Sequence, residues 1–238
     1  MYLTYHTRYV KARNERRFII LCEYASSVYQ KKDGAYREAK SQGYRARSAL
    51  KLKQIHNKFR ILKSGTTVID IGASPGGWTQ VAAEKVGPGG KVIAVDIVDM
   101  EPLDMENVTF IKGDIMDEHT IERIREIAGE VTSVISDMAP KTTGIADLDR
   151  GRSAILASMA LEVARKTLKP GGIFLTKIFQ SAESEELFLE MKQEFAYTKR
   201  FRPPSTRKRS VEMYLIGKGF RMPAHEQGLE DEHQSESP

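Results

Sequence analysis

The stretch VIDIGASPGGWTQ (Val68–Gln80) decides the fold. An apolar, β-branched run ends in Asp70 and breaks into a Gly-rich loop over Gly72–Gly77. The chain then continues as GWTQVAAEKVG (77–87), read as a helix closed by Gly87. A strand that turns through glycines straight into a helix is the first half of a βαβ unit. Outward from it the alternation repeats. KSG (63–65) and PGG (88–90) are turns, and KVIAVDI (91–97) and VTFIKGD (108–114) are strands. HTIERIREIAG (119–129) is a helix, VTSVISD (131–137) a strand, and LDRGRSAILASMALEVARKTL (148–168) a long helix ended by the turn KPGG. IFLTKIF (173–179) is the fifth strand and SEELFLEMKQEF (184–195) a helix. AYTKRFRP (196–203) and SVEMYLIGKGF (210–220) are the last two strands.

Strands spaced by helices require a parallel, doubly wound sheet. The last two strands lack an intervening helix, so they pair antiparallel as a hairpin. The expected fold is α/β, a mostly parallel seven-stranded Rossmann-like sheet with a C-terminal antiparallel hairpin. That is the pattern of class I methyltransferases. Upstream, DGAYREAKSQGYRARSALKLKQIHNKF (33–59) reads as helical pieces broken at Gly43. Ala49, Leu50, Leu52, Ile55 and Phe59 form an apolar face at helical spacing.

The chain has 238 residues and 40% hydrophobic content, enough for one α/β domain with short extensions. Its single cysteine, Cys22, excludes an internal disulfide framework and a Cys-rich zinc site, as expected of a cytoplasmic protein. The five histidines are scattered without metal-ligand spacing, so no metal is expected. The longest early apolar run, FIILC (18–22), is too short to span a membrane or form a signal core. Glu15 and Glu23 argue against a transit peptide.

Charge is distributed unevenly. Residues 1–60 hold 15 Lys/Arg against 4 Asp/Glu, and KRFRPPSTRKR (199–209) holds six bases and no acid. The tail 221–238 holds one Arg against five acids and has no apolar face, so it is expected to be disordered. Two basic segments flanking a globular core point to a polyanion, although a solvated basic surface has the same composition. The expected organisation is a basic extension over 1–33, a catalytic domain over 34–220 and the acidic tail. The extension exceeds what the core needs and reads as an RNA arm or as an upstream start.

In a doubly wound sheet, ligands sit beyond the carboxyl ends of the strands. Asp70 ends strand one and Asp96 ends strand two, where a carboxylate can hold a ribose diol. Asp114 ends strand three, placed to meet an adenine amino group. A dinucleotide site would share the glycines and the second acid. However, GASPGG is not GxGxxG, Pro75 removes a donor, and Asp70 would oppose a diphosphate. S-adenosyl-L-methionine carries a sulfonium cation and no phosphate, and an acid-lined loop suits it. A ligand-free tight turn is the plainer alternative.

SDMAP (136–140) closes strand four and KIFQ (177–180) closes strand five. If these strands are neighbours, Asp137 and Lys177 project into one cleft. Glu212 stands at the start of the last strand, at the same edge, and Lys51 arrives from the helix before strand one. Singly, each lysine reads as a surface residue, each Asp as a cap and Trp78 as core. Together they make a constellation.

YRARSALKL, DIGASPGGW, DMAP, LTKIFQ and RSVEMYLI resemble the RrmJ/FtsJ family of RNA ribose 2′-O-methyltransferases, of archaeal type, over roughly residues 34–220. The resemblance implies a catalytic tetrad on Lys51, Asp137, Lys177 and Glu212. It implies cofactor contacts at Gly76, Trp78, Asp96, Asp114 and Asp137. A ribose hydroxyl must lose its proton as it attacks a methyl group. A lysine serves as base only when neutral, which burial and a second ammonium favour and nearby carboxylates oppose. The substrate that the resemblance implies is a uridine of 23S large-subunit ribosomal RNA within the subunit; the protein itself is expected to be a cytoplasmic monomer. A tRNA ribose and a non-catalytic role in ribosome assembly stay open. An adenine amino-methyltransferase would need an Asn/Asp-Pro-Pro-aromatic element, which DMAP does not supply. Tyr36, Tyr44 and Phe59 are candidates either to stack on bases or to pack in the core.

Overall fold

The computed structural model describes residues 34–207 and 209–221. The basic extension 1–33 and the tail from 222 onward lie outside the described residues, so the expectations about them are not addressed by it. The elements in chain order are α1 (Gly34–Ser41), α2 (Ser48–Phe59), β1 (Thr67–Ile71), α3 (Gly77–Val86), β2 (Lys91–Asp96), β3 (Val108–Lys112), α4 (Glu118–Ala128), β4 (Val131–Ser136), α5 (Ala146–Thr167), β5 (Leu168–Phe179), α6 (Ala182–Glu194), β6 (Phe195–Phe201) and β7 (Glu212–Phe220). The seven strands form one sheet in the order β3-β2-β1-β4-β5-β7-β6. The first five run parallel, and β7 inserts antiparallel between β5 and β6. This is the expected doubly wound sheet with its terminal hairpin.

Both faces of the sheet are covered, which is why β1, β2 and β4 read as near-continuous apolar runs. Alternate residues serve opposite cores. Ile69 and Ile71 of β1 pack with Ile121 and Ile124 of α4, Leu161 of α5 and Met191 of α6. Val68 of β1 packs on the other face with Leu52 and Ile55 of α2 and Val81 of α3. The anticipated apolar face of α2 is buried in full, from Ala49 to Phe59. Tyr44 and Phe59 therefore belong to the core, and their candidacy as base-stacking residues is corrected; Tyr36 is half-buried.

Local chemistry sets the ends of the helices. Asp117 caps α4 by accepting from His119 N at 3.1 Å. Ser181 and Ser184 form a reciprocal capping box on α6. The KPGG expected as a turn before the fifth strand lies instead inside β5. β4 pairs Val131 with Leu168 and then Ser133 with Ile173, so these residues form a bulge in the strand rather than a break before it.

Candidate functional site

The parallel strands aim their carboxyl ends at one edge, where a cleft of about 510 Å³ opens. Its size falls within the usual range for small-molecule clefts, roughly 300 to 1,000 Å³. The Gly-rich loop after β1 forms one wall. Gly72 N and Ala73 N both donate to Val95 O of β2, at 2.9 and 3.2 Å. Gly72 has φ +75, and a Cβ there would lie 2.5 Å from Met138 Cγ, so the loop can cross the start of the β4–α5 connection only without a side chain. Asp96 stitches the loop to β2. Its Oδ2 accepts from Ser74 N and its Oδ1 from Val98 N, each at 2.9 Å. Burial pushes the Asp96 carboxyl above its ordinary value, and these backbone N–H groups oppose that shift.

Asp70 lies beneath the loop and is wholly buried. Burial drives its carboxyl up to about 7 against an opposing hydrogen bond from Thr79, and the charges of Asp137 and Asp96 push it further up. Thr79 Oγ1 donates to Oδ2 at 2.7 Å, while Oδ1 has no hydrogen-bond partner.

The four residues expected to converge do so. β4 and β5 are parallel neighbours, and Phe179 of β5 pairs with Glu212 of β7. This register brings strand ends from three segments to one point, and α2 delivers the fourth side chain from the face of the sheet. Lys51 Nζ lies 2.5 Å from Glu212 Oε1. Lys177 Nζ lies 3.1 Å from Asp137 Oδ1 and also donates to the Asp137 carbonyl oxygen. Both lysines are more than nine-tenths buried, and all four side chains line the cleft. A buried lysine nitrogen needs polar partners, and each of these two has a carboxylate.

Sequence reasoning missed the group that joins these pairs. The Tyr214 hydroxyl sits 3.0 Å from Asp137 Oδ1 and 3.1 Å from Glu212 Oε1. It has one proton to donate and two carboxylates within reach. The ring is fully buried and stacks on Trp78 at 5.7 Å between centroids. Burial, then the charges of Asp137 and Glu212, hold the phenol well above its ordinary value, so it stays a neutral donor. The available signal was the period of two on β7, which puts Tyr214 on the face of Glu212. Arg47, one helical turn before Lys51, also lines the cleft, with Thr206, Arg207 and Arg209 of the β6–β7 loop.

The expected cofactor residues are placed differently from one another. Asp96 and Asp137 line the cleft. Trp78 lines it too, but as a core residue: it is 2% exposed and its Nε1 donates to Ser48 O at 2.9 Å. Gly76 is the left-handed N-cap of α3 with φ 106, and it is absent from the cleft lining. A Cβ at Gly76 would point at Met100, Arg45 and Leu103. Asp114 is exposed, accepts from Met116 N at 2.9 Å within its own turn, and does not line the cleft. A separate hollow of about 10 Å³ is walled by Val95, Asp96, Ile115 and Met138, and Asp114 does not line it either. Among the described residues no cluster of His, Cys, Asp and Glu could hold a metal ion, and no helix is long and apolar enough to cross a membrane.

Comparison with known proteins places this site in context. Residues 44–220 match the FtsJ-like methyltransferase family. The chain is 48% identical over 188 residues to the ribosomal RNA large subunit methyltransferase E of Methanothrix thermoacetophila, covering 79% of this chain and 72% of that protein. It is 47% identical over 191 residues to the protein of that name from Archaeoglobus fulgidus, covering 80% of this chain and 97% of the relative. A crystal structure described as a ribosomal RNA methyltransferase from Plasmodium falciparum superposes with a TM-score of 0.67 at 27% identity. It covers 76% of this chain and all of that one. A sheet of this order, with a lysine–carboxylate cluster at its carboxyl edge and a family match spanning the whole sheet, means that the chain belongs to the FtsJ-like methyltransferase family.

Proposed function

We propose that this protein methylates the 2′-hydroxyl of a ribose in large-subunit ribosomal RNA, with S-adenosyl-L-methionine as donor, as a cytoplasmic monomer built on a methyltransferase domain over 34–220. The observation that carries this reading is the pair of buried lysine–carboxylate contacts joined through Tyr214 beside the Gly-rich loop. The names of the relatives support the substrate class.

S-adenosyl-L-methionine supplies an electrophilic methyl group on a sulfonium when bound. The residues present fit such a cation: the loop wall from Gly72 to Pro75 carries no lysine or arginine, and Asp96 and Asp137 turn carboxylates to the cleft. Asp96 retains acceptor capacity on each oxygen beyond its backbone bonds and would hold a ribose diol. Trp78 and Gly76 shape the entry to α3, and Asp114, just beyond β3, would meet an adenine edge.

Lys177 takes the hydroxyl proton, on a nitrogen that must arrive unprotonated. Asp137 fixes that nitrogen through its side chain and its carbonyl. Lys51 faces the same point and favours negative charge developing on the attacking oxygen. Glu212 holds Lys51. Tyr214 fixes the spacing of the two carboxylates. Alignment of the attacking oxygen supplies the rest.

The test is transfer of label from radiolabelled S-adenosylmethionine to hypomethylated large subunits, free ribosomal RNA and bulk tRNA. Label on the subunit or its RNA supports the proposal. Label on tRNA alone overturns the substrate, and label on no RNA overturns the activity.

A further inference from the structure

The parallel crossovers of the sheet are not built alike. Helices α3, α4 and α5 carry those from β1 to β2, β3 to β4 and β4 to β5, whereas β2 and β3 are joined over 97–107 without a helix. A helix satisfies its own backbone, and an irregular crossover must find partners elsewhere. Here side chains fasten both ends. Asn107 Nδ2 donates to Ala83 O and Gly87 O, at 3.0 and 2.9 Å, and fixes the β3 end to α3. Toward the β2 end, Ser74 Oγ donates to Asp99 O at 3.3 Å. Met100 and Leu103 pack with Ala73 of the Gly-rich loop and Ala94 of β2.

Arg45 fastens the end nearer the cleft. It lies in the link between α1 and α2, half-buried and outside the cleft lining. Its backbone is held on α3, where Gln80 Oε1 accepts from Arg45 N at 2.9 Å and Gln80 Nε2 donates to Gly43 O at 3.1 Å. From this base the guanidinium spans two segments. Nη1 donates to Pro75 O of the Gly-rich loop at 3.4 Å and to Glu101 O of the crossover, and Nη2 donates to Pro102 O at 2.6 Å. The side chain also covers Gly76, where a Cβ would lie 3.5 Å from Arg45 Cδ and 3.1 Å from Met100 Sδ. A planar fork with donors on two nitrogens suits carbonyls set side by side, and the compact ammonium of a lysine does not reproduce it.

The two segments that Arg45 ties together make one side of the cleft. Ser74 and Pro75 line it from the loop, and Asp96 and Val98 line it from the end of β2 and the start of the crossover. The Asp96 carboxylate accepts from both Ser74 N and Val98 N, so its orientation depends on both segments. We propose that Arg45 is a positioning residue for the methyl donor: it holds the β2–β3 crossover against the Gly-rich loop at the spacing that S-adenosylmethionine requires. This rests on the reading of the cleft as the donor site. Arg45 touches neither the donor nor the RNA, and it acts through Asp96 and the loop.

The test compares the wild type with Arg45→Gln and Arg45→Lys. Calorimetry is expected to show S-adenosylmethionine bound about tenfold more weakly by Arg45→Gln, and nearly as weakly by Arg45→Lys, which keeps the charge without the fork. The kcat at saturating donor and the salt slope of ribosomal RNA binding are expected to stay at wild-type values. In the cofactor-free proteins, amide hydrogen exchange is expected to quicken over 97–105 and 72–77 and to stay unchanged in β4 and β5. Equal donor affinity in the wild type and Arg45→Gln would overturn the proposal and leave the reading of the cleft intact. So would a salt slope reduced by about 0.7 to 0.9 in Arg45→Gln and restored by Arg45→Lys, the signature of a phosphate contact. Exchange that quickens evenly, with kcat and RNA affinity falling alongside donor affinity, would make Arg45 a structural residue only and overturn the proposal too. A wild type that binds no S-adenosylmethionine would sink the reading of the cleft, and the proposal with it.

Discussion

The two walls of the cleft meet at the lysine–carboxylate pairs and are made of opposite materials. The Gly72–Pro75 wall is backbone and carboxylate, stitched together by bonds to Val95 and Asp96. The wall from α2 and the β6–β7 loop is guanidinium and hydroxyl, stitched by Gln54 and Arg47 to Ser205. The first suits a compact cation, the second a polyanion. On the proposed function, the difference would let one cleft admit two partners of opposite charge without letting either take the other's place. Within the cleft, the junction is where Lys51 and Lys177 each have a carboxylate beside them.

Substitutions can break this contrast from either side. The largest effect is expected at the junction. Lys177→Ala should lower kcat by about 10²- to 10⁴-fold, the usual worth of a positioned acid–base group, with both KM values nearly unchanged in steady-state assays. Equal loss in KM for either partner would make Lys177 a binding residue of one wall.

Asp70 sharpens the account of the first wall. Its carboxyl is raised to about 7 in the folded chain. Between the unfolded value near 3.8 and that figure, the native state holds a proton that the unfolded chain has lost. Stability should therefore fall as pH rises through this window and level off above it. The loss from pH 5 to 8 is on the order of 3 kcal/mol at most. Asp70→Asn, which keeps the acceptor for Thr79, should remove that slope and be the more stable protein at pH 8. Denaturant unfolding of both proteins at the two pH values decides it, and parallel curves would show that Asp70 carries its charge in the native state.

A smaller, one-sided effect is expected at Asp96. Asp96→Asn should raise the KM for S-adenosylmethionine about tenfold, as for loss of a charged acceptor, and leave the salt dependence of RNA binding unchanged. A change in the salt slope would show that the walls are coupled. The smallest effect is expected for Tyr214→Phe, which preserves the stack on Trp78 and removes one hydroxyl. It should lower kcat only about three- to tenfold in single-turnover assays.

The contrast between the walls also explains what the sequence made legible. The first wall is local. Strand, glycines, proline and helix follow one another between Val68 and Val86, and Asp96 closes the next strand, so periodicity and turn chemistry suffice to place them. The four junction residues sit at strand ends and one helical face, and the resemblance pointed to the same positions. The second wall is not local: Gln54 meets Ser205 across 151 residues of chain. The basic run 199–209 announced an anion there, but only the docking of the loop turned Arg207 and Thr206 into the cleft. Tyr214 was hidden for another reason. Its side chain reads as one more core aromatic on β7, and its hydroxyl acquires meaning only between the carboxylates of Asp137, just beyond β4, and Glu212 of β7. Asp114 shows the converse, since its place at the end of β3 was legible but its exposure outside the cleft was not.

The most direct test of the account is mass-spectrometric location of the added methyl group. Hypomethylated large-subunit RNA would be treated with wild-type protein or with Lys177→Ala and then hydrolysed in alkali. The account predicts one alkali-resistant dinucleotide carrying a 2′-O-methylribose with the wild type, and none with the variant. A methyl group on a base, or a ribose methyl formed undiminished by Lys177→Ala, would contradict it.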